Sequence, residues 1–236
     1  LAECEGDSPQ GLFVAGHRAL SRQWLYDAAV GAGIEIGPGP QPQILPQDDR
    51  QVCYVEQMPP DEWNRLYNRG GKYPVRPELW GDYIVGDASN LSLADASLDF
   101  IFASHVFEHL VNPIVHLIRW NEKLAPGGKV ICVVPDLGAT KDAVQERSTL
   151  SEWIEELEEG IWEPAERHYC RHLGCAPGDK RVRAAMERRE SIHAHYFDNI
   201  NCRDLLDYAV NELGYSDFVI EHTPNHKDFH FLLQKP

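Results

Sequence analysis

The feature that most constrains this chain is a series of short apolar runs, each stopped by glycine or a polar residue and spaced by helical patterns. The first is GAGIEIGPG at residues 31–39, a strand running into a tight turn at Gly37-Pro38-Gly39. QVCYV (51–55), Tyr83-Ile84-Val85, LDFIFA (98–103) and KVICVVP (129–135) follow. Runs that stay apolar at successive positions belong to strands covered on both faces. Residues 17–30 place Leu20, Trp24, Leu25 and Ala28 at helical spacing, and residues 61–68 read as a helix after the breaker Pro59-Pro60. His105 to Leu124 reads as a long helical stretch that Pro113 restarts after Asn112. Strands alternating with helices and buried on both faces predict an α/β fold around a parallel, doubly wound sheet.

The 236 residues suit one domain, 1–236, with an elaborated segment inside it. That segment is 137–196. Thr149 and Glu152 form a capping box before an acidic helix carrying Trp153, Ile154 and Leu157. Residues 163–180 read as irregular, with Pro164, Pro177 and Gly178, and 180–190 as a basic helix whose arginines pair with the Glu152–Glu159 face or with water. A helix over DLLDYAVNELGY, ended by Gly214, precedes two closing strands at 217–221 and 229–233.

Lys plus Arg number 22 against 37 Asp plus Glu, a net charge of −15 that repels polyphosphate and argues against nucleic acid as a partner. No apolar run reaches the ~18 residues of a membrane span. The first twenty residues, with Glu3, Glu5 and Asp7, do not read as a secretory signal, and the six cysteines fit no disulfide framework. A cytoplasmic protein is the expectation. Cys53 and Cys132 fall within strands, where a free thiol acts as a small apolar residue.

Ligands of such sheets bind at the carboxyl ends of the strands. This places Gly37–Gly39, Glu56, Asp87 and Ser104–His105 on one rim. The glycines let backbone approach a ligand, and a plain strand turn has the same sequence. Pro38, Pro40 and Pro42 delay the next helix, so a dinucleotide pyrophosphate lacks a helix N-terminus, and Gln41 stands where a third glycine is expected. Glu56 suits ribose hydroxyls or simple solvation. Asp87 suits an adenine amine, with Ala88 leaving room for the ring, or starts a turn.

Taken in order, IEIGPG, CYVEQ, VGD, LDFIFASHVFEHLVNPI and LAPGGKVICVVPD resemble the class I S-adenosylmethionine (SAM)-dependent methyltransferases. The Ser104-His105-Val106-Phe107-Glu108-His109 segment is similar to that of a bacterial subgroup met near glycan and natural-product assembly genes. The resemblance covers roughly residues 30–136. It implies a Rossmann-like sheet, mostly parallel with an antiparallel closing strand, plus a helical and irregular insertion on the substrate side. It further implies that Glu35, Gly37, Pro38 and Gly39 line the methionine part of SAM. Glu56 then holds the ribose, Gln57 lies beside the adenine, Asp87 and Ala88 contact its edge, and Ser104 lies near the methionine. Glu56 stands where the subgroup has Asp.

The expected reaction is methyl transfer to oxygen or nitrogen of a small molecule or sugar. The alternatives are an NAD(P)-dependent oxidoreductase and a non-catalytic SAM-binding protein. A histidine suits proton removal from the acceptor. His105, beside the methyl donor, is the first candidate base, with a structural role as the alternative. Glu108 and His109, on the following helix, are expected to fix loops. His193 and His195 share one face if extended, as base, substrate contacts, metal ligands or surface histidines. His168, Cys170, His172 and Cys175 match no common zinc spacing, and no metal is assigned. The acceptor and the oligomeric state are not readable from the residues.

Overall fold

The computed structural model describes residues 22–222 and 227–236. The start of the helix expected over 17–30, the first twenty residues weighed as a secretory signal, and Cys4 lie outside the described residues. Seven strands form one sheet: β1 (Gly31–Ile36), β2 (Arg50–Glu56), β3 (Tyr83–Val85), β4 (Leu98–Ser104), β5 (Leu124–Pro135), β6 (Asp217–His222) and β7 (Asp228–Gln234). Their order is β3-β2-β1-β4-β5-β7-β6. β1 to β5 pair in parallel, and β7 runs antiparallel to both β5 and β6. This is the mostly parallel Rossmann-like sheet expected, with one reversed strand.

The apolar runs are buried on both faces, as their lack of alternation requires. In β4, Phe100 and Phe102 face a layer with Tyr54, Ile131, Val133 and Leu25. Ile101 and Ala103 face the other, with Phe107, Leu117, Trp120 and Leu205. Helices α1 (Gln23–Asp27), α2 (Pro60–Tyr67), α3 (Pro113–Lys123) and α7 (Asn199–Glu212) accompany the sheet; α4 (Leu150–Glu159), α5 (Glu166–Leu173) and α6 (Lys180–Glu187) belong to segment 137–196.

Several local expectations change. No helix joins β1 to β2. Prolines 38, 40, 42 and 46 remove amide donors there, and Glu35 takes the Gln43 and Ile44 amides. Residues 105–112 are not helical beyond a single 3-10 turn at Phe107–His109, so Glu108 and His109 sit in that turn rather than on a helix. His105 (φ 55) and Asn112 (φ 58) are left-handed and bracket it. Asn112 then caps α3 through the Val115 amide, 3.2 Å away. Pro126-Gly127-Gly128 lies inside β5, where the register against β4 shifts between Leu98 and Phe100. The segment read as irregular contains α5. Cys53 points outward on β2, whereas Cys132 is buried.

Segment 137–196 leaves and rejoins the sheet at one place, since the Leu137 amide donates to the Phe197 carbonyl at 2.7 Å. Trp153 of α4 stacks on Phe197, with centroids 5.2 Å apart. α5 and α6 enclose a small core of Tyr169, Val182, Ala185 and Ile192. The acidic side of α4 pairs with Arg167 and Arg171 of α5. The α6 region does not supply its partners as expected: Arg181 pairs with Asp179 and Arg188 with Glu190.

Candidate functional site

Because β1 to β4 are parallel, their carboxyl ends share one edge. Gly37 (φ 68) and Gly39 (φ 56) hold the turn after β1 in a left-handed conformation, with Pro38 between them. A Cβ on Gly37 would stand 2.5 Å from Val106 Cγ2, and one on Gly39 would stand 2.9 Å from the Trp63 ring. Glu35 lies beneath this turn, 1% exposed. Its carboxylate accepts from the amides of Gln43 (3.0 Å) and Ile44 (2.8 Å). Burial pushes the Glu35 carboxyl up to about 8 although those amides pull the other way. Its position is that of a pin holding the 37–44 loop.

Glu56 ends β2 and meets the same turn. Its Oε2 accepts from the Gly39 amide at 3.2 Å and its Oε1 from the Gln57 amide at 2.9 Å. Burial raises its carboxyl above the ordinary value against both amides. The Gln57 side chain is exposed beside it. After β3, exposed Asp87 accepts from the Ser89 amide at 2.7 Å, which makes it the start of a turn. Buried Ala88 gives its carbonyl to the Trp120 indole at 2.9 Å. Ser104 closes β4, and its buried hydroxyl has no hydrogen-bond partner. A glycine turn packed against Val106 and Trp63, a half-buried carboxylate and an unpartnered hydroxyl along one edge fit a cofactor with ribose hydroxyls and a short polar tail. With no helix after β1, the edge offers a pyrophosphate no helix N-terminus at this turn.

The rim continues into a histidine-rich half. His105 is exposed, and its left-handed backbone is fixed by its amide N–H, which donates to the Val133 carbonyl at 2.9 Å. Its Nε2 lies 3.5 Å from Asp228 Oδ2 and its Nδ1 3.7 Å from Glu108 Oε1. Asp228 first, then Glu108, push the imidazole up to about 9 against the opposing effect of burial. Asp228 was not found by sequence reasoning. It opens the antiparallel β7 opposite Pro135, so only the sheet register brings it to the rim, where it also pairs with Arg22.

The other predicted histidines separate. The Ala194 and His195 amides both donate to the Glu108 carbonyl, at 2.8 and 3.1 Å. The Glu108 backbone and the His109 ring, 2.8 Å from the Ile192 carbonyl, therefore fix the returning segment. His193 holds Asp142 at 2.7 Å and stands edge-on to His109. His195 is 2% exposed and holds Glu156 at 3.1 Å. His168 reaches the other Glu156 oxygen at 2.8 Å, while His172 contacts the Tyr196 hydroxyl. Cys170 and Cys175 are free thiols. Among the described residues, His168, Cys170, His172 and Cys175 do not converge as a group. The groups close enough to share an ion are Glu108–His109–His193 and Glu156–His168–His195.

Residues 36–132 match the family model for a methyltransferase domain. No curated protein matches the chain. Solved structures similar in fold include a possible exported protein of Bordetella parapertussis: 16% identity, TM-score 0.49, 91% of this chain and 65% of that one. A SAM-dependent methyltransferase of Archaeoglobus fulgidus is 14% identical, with TM-score 0.49 and coverage of 91% and 90%. Phosphoethanolamine N-methyltransferase 2 of Haemonchus contortus, solved with S-adenosylmethionine, is 15% identical, with TM-score 0.49. There the match covers 88% of this chain and 49% of that one. The chain thus spans less than two thirds of the Bordetella and Haemonchus proteins. None of its described helices is long and apolar enough to cross a membrane. The methyltransferase-domain match runs from the end of β1 to the middle of β5 and so takes in the edge at the carboxyl ends of β1 to β4.

Proposed function

We propose that the chain transfers a methyl group from SAM to an oxygen or nitrogen of a small molecule or sugar. The observation that carries this reading is His105, which follows Ser104 directly at the end of β4 and faces Asp228 and Glu108. The histidine flanked by carboxylates thus directly adjoins the edge proposed for the cofactor. Methyl transfer from a sulfonium is an in-line displacement, so the protein must orient the acceptor, exclude water and take up its proton. His105 takes that proton from its neutral form; because Asp228 and Glu108 hold the imidazole up to about 9, methyl transfer should rise as the pH approaches 9. Glu56 holds the ribose, with Gln57, Asp87 and Ala88 around the adenine. Glu35 supports the Gly37-Pro38-Gly39 turn that receives the methionine end. Segment 137–196 forms the acceptor side, and its His193 stands within reach of the acceptor, whereas His195 anchors α4. A net charge of −15 favours a compact acceptor over a polyanion such as nucleic acid.

Two substitutions test the halves separately. His105→Ala should bind SAM as the native protein does and lose about 10²-fold or more in methyl transfer; unchanged turnover would remove His105 from the mechanism. Glu56→Ala, with an unaltered circular dichroism spectrum, should weaken SAM about 10- to 100-fold by titration calorimetry, since hydrogen bonds to a charged group carry about 1.5–3 kcal/mol. Unchanged affinity would exclude the ribose assignment.

A further inference from the structure

Among the described residues, two groups each bring one carboxylate and two histidines together, and their hydrogen bonding differs in kind. In the first, the His168 Nδ1 accepts the Ala165 amide at 2.9 Å, so its proton sits on Nε2. That Nε2 donates to Glu156 Oε1 at 2.8 Å, and the His195 Nε2 lies 3.1 Å from Glu156 Oε2. The Asn112 amide also donates to Oε2, at 2.8 Å. Every lone pair that could face an ion already receives a proton donor. This triad is a closed structural network.

The second triad has the opposite polarity. The His109 Nδ1 faces the Ile192 carbonyl at 2.8 Å, an acceptor only, so Nδ1 carries the proton and the bare lone pair is on Nε2. The His193 Nδ1 likewise faces the Asp142 carboxylate at 2.7 Å, which puts the bare lone pair of the neutral ring on Nε2. These are the outer partners that orient metal-bound imidazoles. The His109 Nε2 lies 3.8 Å from Glu108 Oε1, two acceptors opposed at a distance too long for a hydrogen bond. Glu108 is 1% exposed, and its Oε2 has no hydrogen-bond partner. One carboxylate oxygen and one nitrogen from each ring lie within 4.8 Å of one another. The rings of His109 and His193 stand at 89° with centroids 4.8 Å apart.

We propose that Glu108, His109 and His193 form a binding site for a divalent transition-metal ion of the zinc class. Ligand distances of about 2.1 Å require the three atoms to close by roughly 1 Å. Three protein ligands leave a position open, the pattern of catalytic rather than structural sites. Given the methyltransferase reading, on which this role alone rests, the ion holds an acceptor oxygen or nitrogen beside His105 and makes its proton easier to remove. The favoured acceptor is then one that can ligate a metal, such as a molecule with neighbouring oxygen donors.

The test uses the full chain, stripped with chelator and titrated with Co²⁺, followed by visible absorption and elemental analysis. One equivalent should bind with a d–d spectrum free of thiolate charge transfer, and Zn²⁺ should displace it. His109→Gln and His193→Gln, each checked for native melting, should weaken binding at least about 10-fold. The Cys170→Ser, Cys175→Ser double variant should bind as the native protein does. Substoichiometric binding, a thiolate band, or full affinity in both histidine variants would overturn the assignment. SAM titration of the same samples keeps the readings apart. Cobalt binding without SAM binding supports the metal site while overturning the methyltransferase role, and SAM binding without cobalt binding does the reverse.

Discussion

Gly37 carries two constraints at once. Its φ of 68° disfavours any side chain, and Val106 Cγ2 would lie 2.5 Å from a Cβ placed there. Gly37→Ala should therefore cost about 1–3 kcal/mol in urea unfolding and weaken SAM in calorimetry, because the turn must shift to admit the methyl group. Stability and affinity equal to the native protein would show that the turn is not held as described. At this scale the strand-end residues of the rim were legible. Gly37, Glu56, Asp87 and Ser104 each follow an apolar run, and a strand end is a property of local sequence. Asp228 and Asp142 were not, since their partners lie at His105 and His193 and no local pattern records that distance. Glu35 was legible as a position but not as a contact, because loop 37–44 had to fold back before its amides could reach the carboxylate.

Among the elements, α4 shows both success and failure of sequence reading. Its capping box was visible in Thr149 and Glu152 and is formed. The same acidic run hid Glu156, which faces inward and is 1% exposed. Burial opposes its ionisation, but hydrogen bonds from His168 and His195 prevail and hold the carboxyl well below its ordinary 4.5. As pH falls, the unfolded chain takes up this proton before the native state does. The stabilisation is complete above about 4.5 and is lost as the pH drops further. Glu156→Gln should therefore cost about 2–4 kcal/mol at pH 7, with the deficit narrowing below pH about 4.5 in urea titrations. A deficit independent of pH would mean that the charge contributes nothing. α5 escaped notice for a related reason: its apolar positions are few, and its register is set by Glu156 and the small core beneath it.

For the whole molecule, alternation of doubly buried runs was enough to predict the sheet, because that pattern has few other solutions. The reversed strand is different in character. β7 comes last in the sequence yet lies between β5 and β6, and it supplies Asp228 to the rim. β1, β2, β4 and β5 pair within the first part of the chain, whereas β7 joins β5 from about a hundred residues away. Long closures are slow to form. Pulse-labelled hydrogen exchange during refolding should protect Ile34 and Ile36 before Phe229 and Phe231, and simultaneous protection would contradict this order. The two halves of the rim are thus separated in time as well as in chemistry. In that order, a chain emerging from the ribosome completes its glycine turn and places Glu56 while His105 still lacks Asp228. If Glu56 holds the ribose and His105 takes the acceptor's proton, as proposed, such a chain would bind cofactor before it could turn it over.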